Sequence, residues 1–234
     1  RRPTISTPKR SSAASDLYKR QLLELNIAIL FNLNSAETSD VIQEVTQQAS
    51  PLLTQFQNDV RLNQALFERI KAIYEDQDQA NLSAEQKTLL EKEYKGFARN
   101  GALLNDDEKE LLREIDIEKA QLSLTFGENV LADTHAFELH ITEEKDLEGL
   151  PDQIKEMAAE MAQSKNKTAW VFTLDYPSYV PFMTYAENRE LRKEFCLAFG
   201  KRGFQNNDNN NTDIILRLIE LRKKRAKLLG YESH

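Results

Sequence analysis

The chain has 234 residues, 40% of them hydrophobic, and can bury a core in one large or two small domains. Its formal net charge of −7, with 29% charged residues, gives no support for binding nucleic acid or an anionic membrane surface across the whole chain. Only seven glycines and six prolines are present, which favours long helices over a turn-rich β architecture, so we predict a mainly α fold.

Signals for a membrane span and for disulfides are lacking in the sequence. No run approaches the roughly eighteen apolar residues that a helix needs to cross a bilayer. Cys196 is the single cysteine, which excludes an internal disulfide and a thiolate metal cluster. Because the sequence opens with Arg1 rather than Met, the start of the natural chain is not visible and the lack of a targeting segment carries no information. The compartment stays open, with the cytoplasm or the periplasm expected.

The first 15 residues are basic, rich in Ser, Thr and Pro, and nearly free of large apolar residues, so we predict a disordered tail over 1–15. Residues 16–234 are predicted to form a helical domain. Apolar residues at three- and four-residue spacing predict a first helix from Asp16 and a second helix in the forties. Pro51 is predicted to start a fresh turn of helix that reaches Val60.

Capping signals bound one of the next helices at both of its ends. Ser83, followed by Gln86 three residues later, has the form of a capping box. The pair Asn100-Gly101 suits a left-handed helix end, because glycine adopts that conformation without steric cost. We therefore predict a helix between these two signals.

The stretch from Asn105 to Val130 predicts one long helix of about seven turns, around which the other helices pack. Asn105 is placed to cap it, and the acidic residues that follow suit the positive end of the helix dipole. An apolar row recurs at steps of seven and four residues: Leu104, Leu111, Ile115, Leu122 and Phe126. We expect Leu122 and Phe126 to lie in the main core.

A strand signal follows the long helix. Phe137, Leu139 and Ile141 alternate with polar residues, which is typical of a half-buried strand. The segment 170–174, WVFTL, is aromatic and β-branched and is the expected partner strand. Two strands predict only a small β-ribbon.

The remaining helices are bounded by proline, asparagine and glycine. Pro151 is predicted to open a helix, whereas Pro177 and Pro181 are predicted to bracket a turn. Asn188 can cap the next helix. The last helix is predicted over 212–229.

The three histidines do not form a predicted metal site. His135 and His140 are five residues apart, which misses the i, i+4 spacing of two ligands on one helix face. On a strand, this odd separation would point the two side chains to opposite faces, so we expect surface or half-buried structural histidines. His234 is the last residue and has no context.

Other reactive groups are also interpreted structurally. Cys196 lies in an apolar helix row, which predicts a buried and inert thiol. Glu114 and Glu118 are one turn apart on a charged helix and are expected to face water. The sequence has neither a G-x-S-x-G motif nor a glycine-rich phosphate loop. We therefore nominate no catalytic, cofactor-binding or metal-binding residue.

A basic run near the end consists of Arg222, Lys223, Lys224, Arg225 and Lys227. A nucleic-acid patch is one interpretation, but cations in the last turns of a helix also favour its negative end, and aromatic interleaving is absent. We therefore predict no nucleic-acid partner. Arg225 falls on the apolar row of its helix, where it either reaches over an edge or faces a partner surface outside this segment.

Seven blocks follow one another along the chain: FNLNSAETSD at 31–40, SPLL with LNQALFERIKAIYE at 50–75, RNGALL at 99–104, LTFGENVL at 124–131, WVFTLDYPSYVPFM at 170–183, NRELR at 188–192 and LRKKRAKLLGY at 221–231. Together they resemble the N-terminal part of the thimet oligopeptidase family of zinc metallopeptidases. The block FNLNSAETSD most resembles the bacterial peptidyl-dipeptidase (dipeptidyl carboxypeptidase) and oligopeptidase A branch of that family.

The resemblance implies a helical N-terminal portion that forms one wall of a deep channel over a zinc site and admits short peptides. In the family, two histidines of an H-E-x-x-H helix and a later glutamate hold the zinc. This sequence contains no H-E-x-x-H. We therefore expect the sequence to be truncated before the catalytic domain, and expect zinc only in the parent peptidase.

Two functions stand at this point. One is a channel-wall portion of a zinc peptidase of the peptidyl-dipeptidase or oligopeptidase type, inactive by itself. The other is a free-standing helical interaction domain of the same descent without catalytic activity. In the first case, the missing C-terminal catalytic domain would leave an apolar surface bare on the last helix, so the isolated chain should self-associate.

Overall fold

A computed structural model describes residues 12–76 and 81–234. These residues contain nine α-helices, one short 3-10 helix and two β-strands, which confirms the predicted mainly α fold with a small β-ribbon. The helices are α1 (Ser12–Ala36), α2 (Asp40–Arg61), α3 (Gln64–Glu75), α4 (Ala84–Arg99), α5 (Asp106–Ala136), α6 (Asp152–Ser164), α7 (Tyr176–Tyr185), α8 (Arg189–Gly200) and α9 (Thr212–Leu228). The strands are β1 (Glu138–Ile141) and β2 (Trp170–Thr173). Within the described ranges, no helix is both long and apolar enough to span a bilayer.

The chain divides into two compact units, Arg1–Leu52 and Leu53–His234. The first unit holds α1 and the beginning of α2, where the Ser39 hydroxyl accepts a hydrogen bond from the backbone N–H of Ile42 at 3.4 Å. Most of the predicted tail, residues 1–11, lies outside the described residues. Its last four residues, 12–15, belong to α1 instead of a tail.

Two predicted breaks at proline are wrong. Pro51 lies inside α2, and the segment predicted as a turn at Pro177 and Pro181 is helix α7. Pro177 stands in the first turn of α7, where backbone N–H groups have no helical partner to lose. Pro181 removes one hydrogen bond from the helix interior. The neighbouring Phe182 is fully buried in the core, and this packing offsets the lost bond.

The main core of the unit Leu53–His234 surrounds the β-ribbon. β1 and β2 pair with each other, as predicted, and the structure shows that they run antiparallel with Leu139 opposite Phe172. Below them, the rings of Phe182 on α7 and Phe195 on α8 meet edge to face, with centroids 5.1 Å apart. The other buried members of this core are Ile141, Leu147, Leu150, Ala158, Leu174 and Ala186.

Helix α5 begins as predicted but is not the centre of the core. Asn105 and Glu108 form a capping box at its start, and the helix continues six residues past the predicted end, to Ala136. Leu112 and Ile115 are buried, whereas Leu122 and Phe126 are only half-buried and lie outside the main core. The prediction for Leu122 and Phe126 is therefore wrong. An apolar spacing identifies a helix face but not the element that covers it.

A smaller core joins α3 and α4. Phe67 on α3 stacks with Tyr94 and Phe97 on α4, at centroid distances of 5.7 and 6.2 Å. The capping box of Ser83 and Gln86 forms at the start of α4, as predicted. Gly101 follows the end of α4 with φ of +98°, where a side-chain Cβ would lie 2.5 Å from Leu112. The predicted helix end is confirmed.

Candidate functional site

The described histidines do not converge on a common point. His135 lies in the last turn of α5 and is exposed, and His140 is exposed on β1 with Nε2 2.7 Å from the carbonyl oxygen of Thr168. His234 is exposed at the end of the chain. In residues 12–76 and 81–234, no three His, Cys, Asp or Glu side chains are grouped to hold a metal ion. These residues do not fit a zinc centre, and the absence of metal ligands from the whole chain stays a prediction.

The prediction of a buried thiol at Cys196 is wrong, because this side chain is exposed. Its neighbour Phe195 occupies the buried position of α8. Successive residues of a helix are separated by about 100° around the axis, so burial of Phe195 turns Cys196 toward solvent.

The Glu118 side chain is 40% exposed, as expected, but it also pairs with a residue of α9. Both of its carboxylate oxygens accept hydrogen bonds from Arg217 of α9, from Nε at 2.5 Å and from Nη2 at 2.8 Å. This two-pronged contact lowers the pKa of Glu118 below its usual value, with the hydrogen bonds from Arg217 as the largest cause. Glu118 therefore helps to hold α9 on α5.

Arg225 contacts residues of this chain. Its Nε donates to Asp116 of α5 at 2.8 Å, and its Nη2 donates to Asn100 at the end of α4 at 3.2 Å. Of the two predicted alternatives, the reach over the helix edge is the one observed. Lys224 pairs with Glu220 one turn earlier at 2.8 Å, so part of the basic run already has acidic partners.

A buried carboxylate that the sequence did not mark out organises the loop between α8 and α9. Asp133 of α5 is only 2% exposed and faces this asparagine-rich loop. Its carboxylate accepts hydrogen bonds from the backbone N–H of Gly203 at 2.7 Å and from the side-chain amides of Asn207 and Asn209, both at 2.9 Å. The Gln205 amide is more distant, at 3.4 Å. Four donors thus meet one carboxylate.

The electrostatics of Asp133 follow from this geometry. Burial acts to raise its carboxyl pKa, but the hydrogen bonds from Asn209, Gly203, Asn207 and Gln205 outweigh burial and lower the pKa below its usual value. Neutral amide donors therefore keep the carboxylate ionised. The sequence signal was the run of asparagines at 206–211, but its single acidic partner is about 70 residues away in the chain and could not be identified by spacing.

Helix α9 has one buried and one exposed apolar side. It packs on α5 and buries Leu218 and Leu221. On its other side, Leu216 is 62% exposed and Ile219 57% exposed, with Ile215 beside them. We call Ile215, Leu216 and Ile219 the α9 apolar row. Such a row on a helix is typical of a surface that another polypeptide covers.

In comparisons with known proteins, α9 lies in a segment that matches a protein family. Residues 182–234, which include α8 and α9, match the model of Peptidase family M3. Over 210 residues, the chain is 35% identical to the probable cytosolic oligopeptidase A of Arabidopsis thaliana. This chain is homologous to the family M3 peptidases. The resemblance described from the sequence motifs is therefore confirmed.

The alignments with bacterial relatives have a length similar to the Arabidopsis alignment. The chain is 32% identical to oligopeptidase A of Haemophilus influenzae and 29% identical to dipeptidyl carboxypeptidase of Escherichia coli. The alignments cover 87% of this chain for the Arabidopsis and Haemophilus enzymes and 92% for the Escherichia enzyme. They cover 30%, 30% and 32% of the respective M3 peptidases. The chain thus spans about a third of the length of these relatives.

Proposed function

We propose that this chain forms a helical wall of a longer family M3 zinc peptidase that hydrolyses short peptides. The similarity covers nearly all of the chain but only about a third of each relative, which supports a part of the enzyme and not the whole. The described residues offer no fitting zinc ligands, so zinc is proposed as the cofactor of the longer peptidase only. The proposed compartment is the cytoplasm or the periplasm.

The observation that carries the proposal is the position of the α9 apolar row. It lies inside the segment that matches Peptidase family M3 and is exposed, whereas Leu218 and Leu221 of the same helix are buried. An isolated helix that exposes Leu216 and Ile219 gains stability when further polypeptide covers them, at roughly 25 cal/mol for each Å² of apolar surface removed from water. We propose that the catalytic domain of the longer peptidase provides this cover.

The first test is to read the gene beyond the codon for His234. The proposal expects an H-E-x-x-H motif in the same reading frame. A stop codon directly after His234 would contradict it and would favour the second candidate, a free-standing helical interaction domain. The α9 apolar row also supports that second candidate, since an interaction domain likewise needs an exposed apolar surface.

A second test compares one substitution in two chain lengths. Leu216→Gln in the 234-residue chain should change the free energy of unfolding by no more than about 0.5 kcal/mol, as for an exposed position. In the longer peptidase, the same substitution should cost about 1–3 kcal/mol, because it buries an amide in an apolar contact. The matched control is Leu89→Gln on α4, which starts from a similar exposure of 60%. An equal effect of Leu216→Gln in both lengths would overturn the proposed cover.

A further inference from the structure

An apolar groove lies between α6 and the junction of β2 with α7, away from the α9 apolar row. Its volume is about 190 Å³, and its apolar lining includes Ile154, Met157 and Met161 of α6, Phe172 of β2 and Pro177 of α7. Met157 is 42% exposed at the lip, whereas Phe172 is buried at the floor. A volume of this size is below the roughly 300 Å³ at which pockets for whole small ligands begin, and suits a single large side chain.

One acidic side chain lines this groove. Asp175 is exposed, and its Oδ2 accepts a hydrogen bond from the Thr173 hydroxyl at 2.9 Å, which fixes the carboxylate at the junction. Across residues 12–76 and 81–234, the Asp175 carboxylate forms no ion pair. The nearby lysines Lys155 and Lys165 are paired with Asp152 and Glu138 instead.

We propose that this groove binds an apolar side chain of a peptide segment that carries a lysine or arginine next to that side chain. The methionines of α6 provide a wall that adapts to side chains of different shape, because thioether chains are unbranched and polarizable. The Asp175 carboxylate selects a cationic neighbour, since it carries a negative charge that the surrounding lysines do not neutralise. The site extends beyond the proposed peptidase function and depends on neither zinc nor a catalytic domain.

The methionines also allow peptide binding in the groove to be measured. The chain contains three methionines, and Met157 and Met161 line the groove while Met183 packs against the main core. With ¹³C-methyl methionine labelling, NMR therefore gives two reporters in the groove and one internal control. The probe is acetyl-Gly-Lys-Leu-Lys-Gly-amide, whose blocked termini leave only side-chain charges. We expect saturable shifts of the Met157 and Met161 signals and none of Met183.

Two further probes separate the apolar and the charged parts of the proposal. Replacing leucine by alanine in the peptide should abolish the shifts, and replacing both lysines by glutamate should weaken binding strongly. Asp175→Asn should weaken binding of the lysine peptide about two- to fivefold, as for loss of one exposed ion pair. The matched control is Asp208→Asn, which removes the same charge from an exposed position in the loop between α8 and α9 and should leave binding unchanged.

Several outcomes would overturn the proposal. Equal binding of the lysine and glutamate peptides would remove the charge selection, and equal shifts of all three methionines would show that the peptide does not use the groove. Shifts of Met157 and Met161 that depend on protein dilution without peptide would show that a second copy of the chain occupies the groove. Absence of any shift at millimolar peptide would also contradict the proposed site.

Discussion

The guanidinium of Arg225 on α9 lies 2.8 Å from the carboxylate of Asp116 on α5, and both side chains are more than four-fifths buried. The same carboxylate lies 3.6 Å from the ammonium of Lys119, and Arg225 reaches Asn100 with a second nitrogen. One contact therefore links α9, α5 and the end of α4. Removal of one partner from this largely buried pair should therefore cost more stability than removal of one partner from an exposed ion pair.

We expect Asp116→Ala to destabilise the unit Leu53–His234 by about 1–3 kcal/mol, because it leaves a largely buried guanidinium without its charged acceptor. Urea denaturation followed by circular dichroism measures the change in the free energy of unfolding. The control is Glu110→Ala on the same helix, whose carboxylate is 73% exposed and 3.9 Å from Arg113. That variant should stay within about 0.5 kcal/mol of the original protein. Equal effects of the two substitutions would contradict the structural role of Asp116.

The second prediction concerns Asp133. Asp133→Asn keeps the shape of the side chain but replaces a carboxylate that accepts four N–H donors with an amide that brings donors of its own. We expect a loss of about 1.5–3 kcal/mol, the range for hydrogen bonds to a charged group. Hydrogen exchange should also become faster in the loop that contains Asn207 and Asn209. Asp208→Asn, at an exposed position of the same loop, should change neither quantity.

Stability should also depend on pH through Asp133. The folded state lowers the pKa of this carboxyl, so it binds its proton more weakly than the unfolded chain does. At pH values above the ordinary aspartic acid pKa of about 3.9, the stabilisation by Asp133 is therefore fully present. It is lost as the pH falls through the lower pKa of the folded state. Unfolding measured between neutral and acidic pH should show a steeper loss for the original protein than for Asp133→Asn. Parallel curves would contradict the assignment.

The fourth prediction separates two phenylalanines. Phe195 is fully buried in the main core, so Phe195→Ala should cost about 3–5 kcal/mol. Phe126 is half-buried outside that core, and Phe126→Ala should cost distinctly less. Phe204→Ala, at a position that is 62% exposed, should have an effect near zero and serves as the baseline. If Phe126→Ala equalled Phe195→Ala in chemical denaturation, α5 would be more central than the structure indicates.

The fifth prediction is a titration. Hydrogen bonds from Lys165 and then Lys167 lower the pKa of Glu138 to about 2. The carboxyl signal of Glu138 should therefore not titrate in NMR spectra until the pH falls well below the range of the other glutamates. The double substitution Lys165→Met with Lys167→Met should return the pKa toward its ordinary value. Lys155→Met, which removes a lysine that pairs with Asp152, should not affect Glu138.

Local signals in the sequence predicted the helix and strand types well. Caps at Asn105, Ser83 and Asn188 act within three residues of the chain, so their geometry can be read directly from the letters. The alternation at Leu139 and Ile141 likewise reports a strand with one buried face. The error at Pro181 has a physical cause. Proline lowers the stability of a helix, but burial of the neighbouring Phe182 outweighs that loss.

Contacts between residues that are distant in the chain were not predicted from the sequence. Nothing near Asp133 indicates that Asn207 and Asn209 point at it, and nothing near Arg225 indicates Asp116, more than 100 residues earlier. The burial of Cys196 was mispredicted for a related reason. Its helix has apolar residues on more than one side, and only packing decides that Phe195 faces the core.

The arrangement at Asp133 also makes the chain sensitive to chemical ageing. Side-chain amides of asparagine hydrolyse slowly to carboxylates, and such residues are among the thermolabile ones in proteins. At Asn207 or Asn209, that reaction would exchange an N–H donor 2.9 Å from Asp133 for a second anion. Two carboxylates with no cation between them repel each other, so the reaction should release the loop from Asp133. Mass spectrometry should then find a mass increase of about one dalton at either position in the molecules whose loop is released. During storage, the fraction of molecules in which the loop with Asn207 and Asn209 has lost its hydrogen bonds to Asp133 should therefore increase.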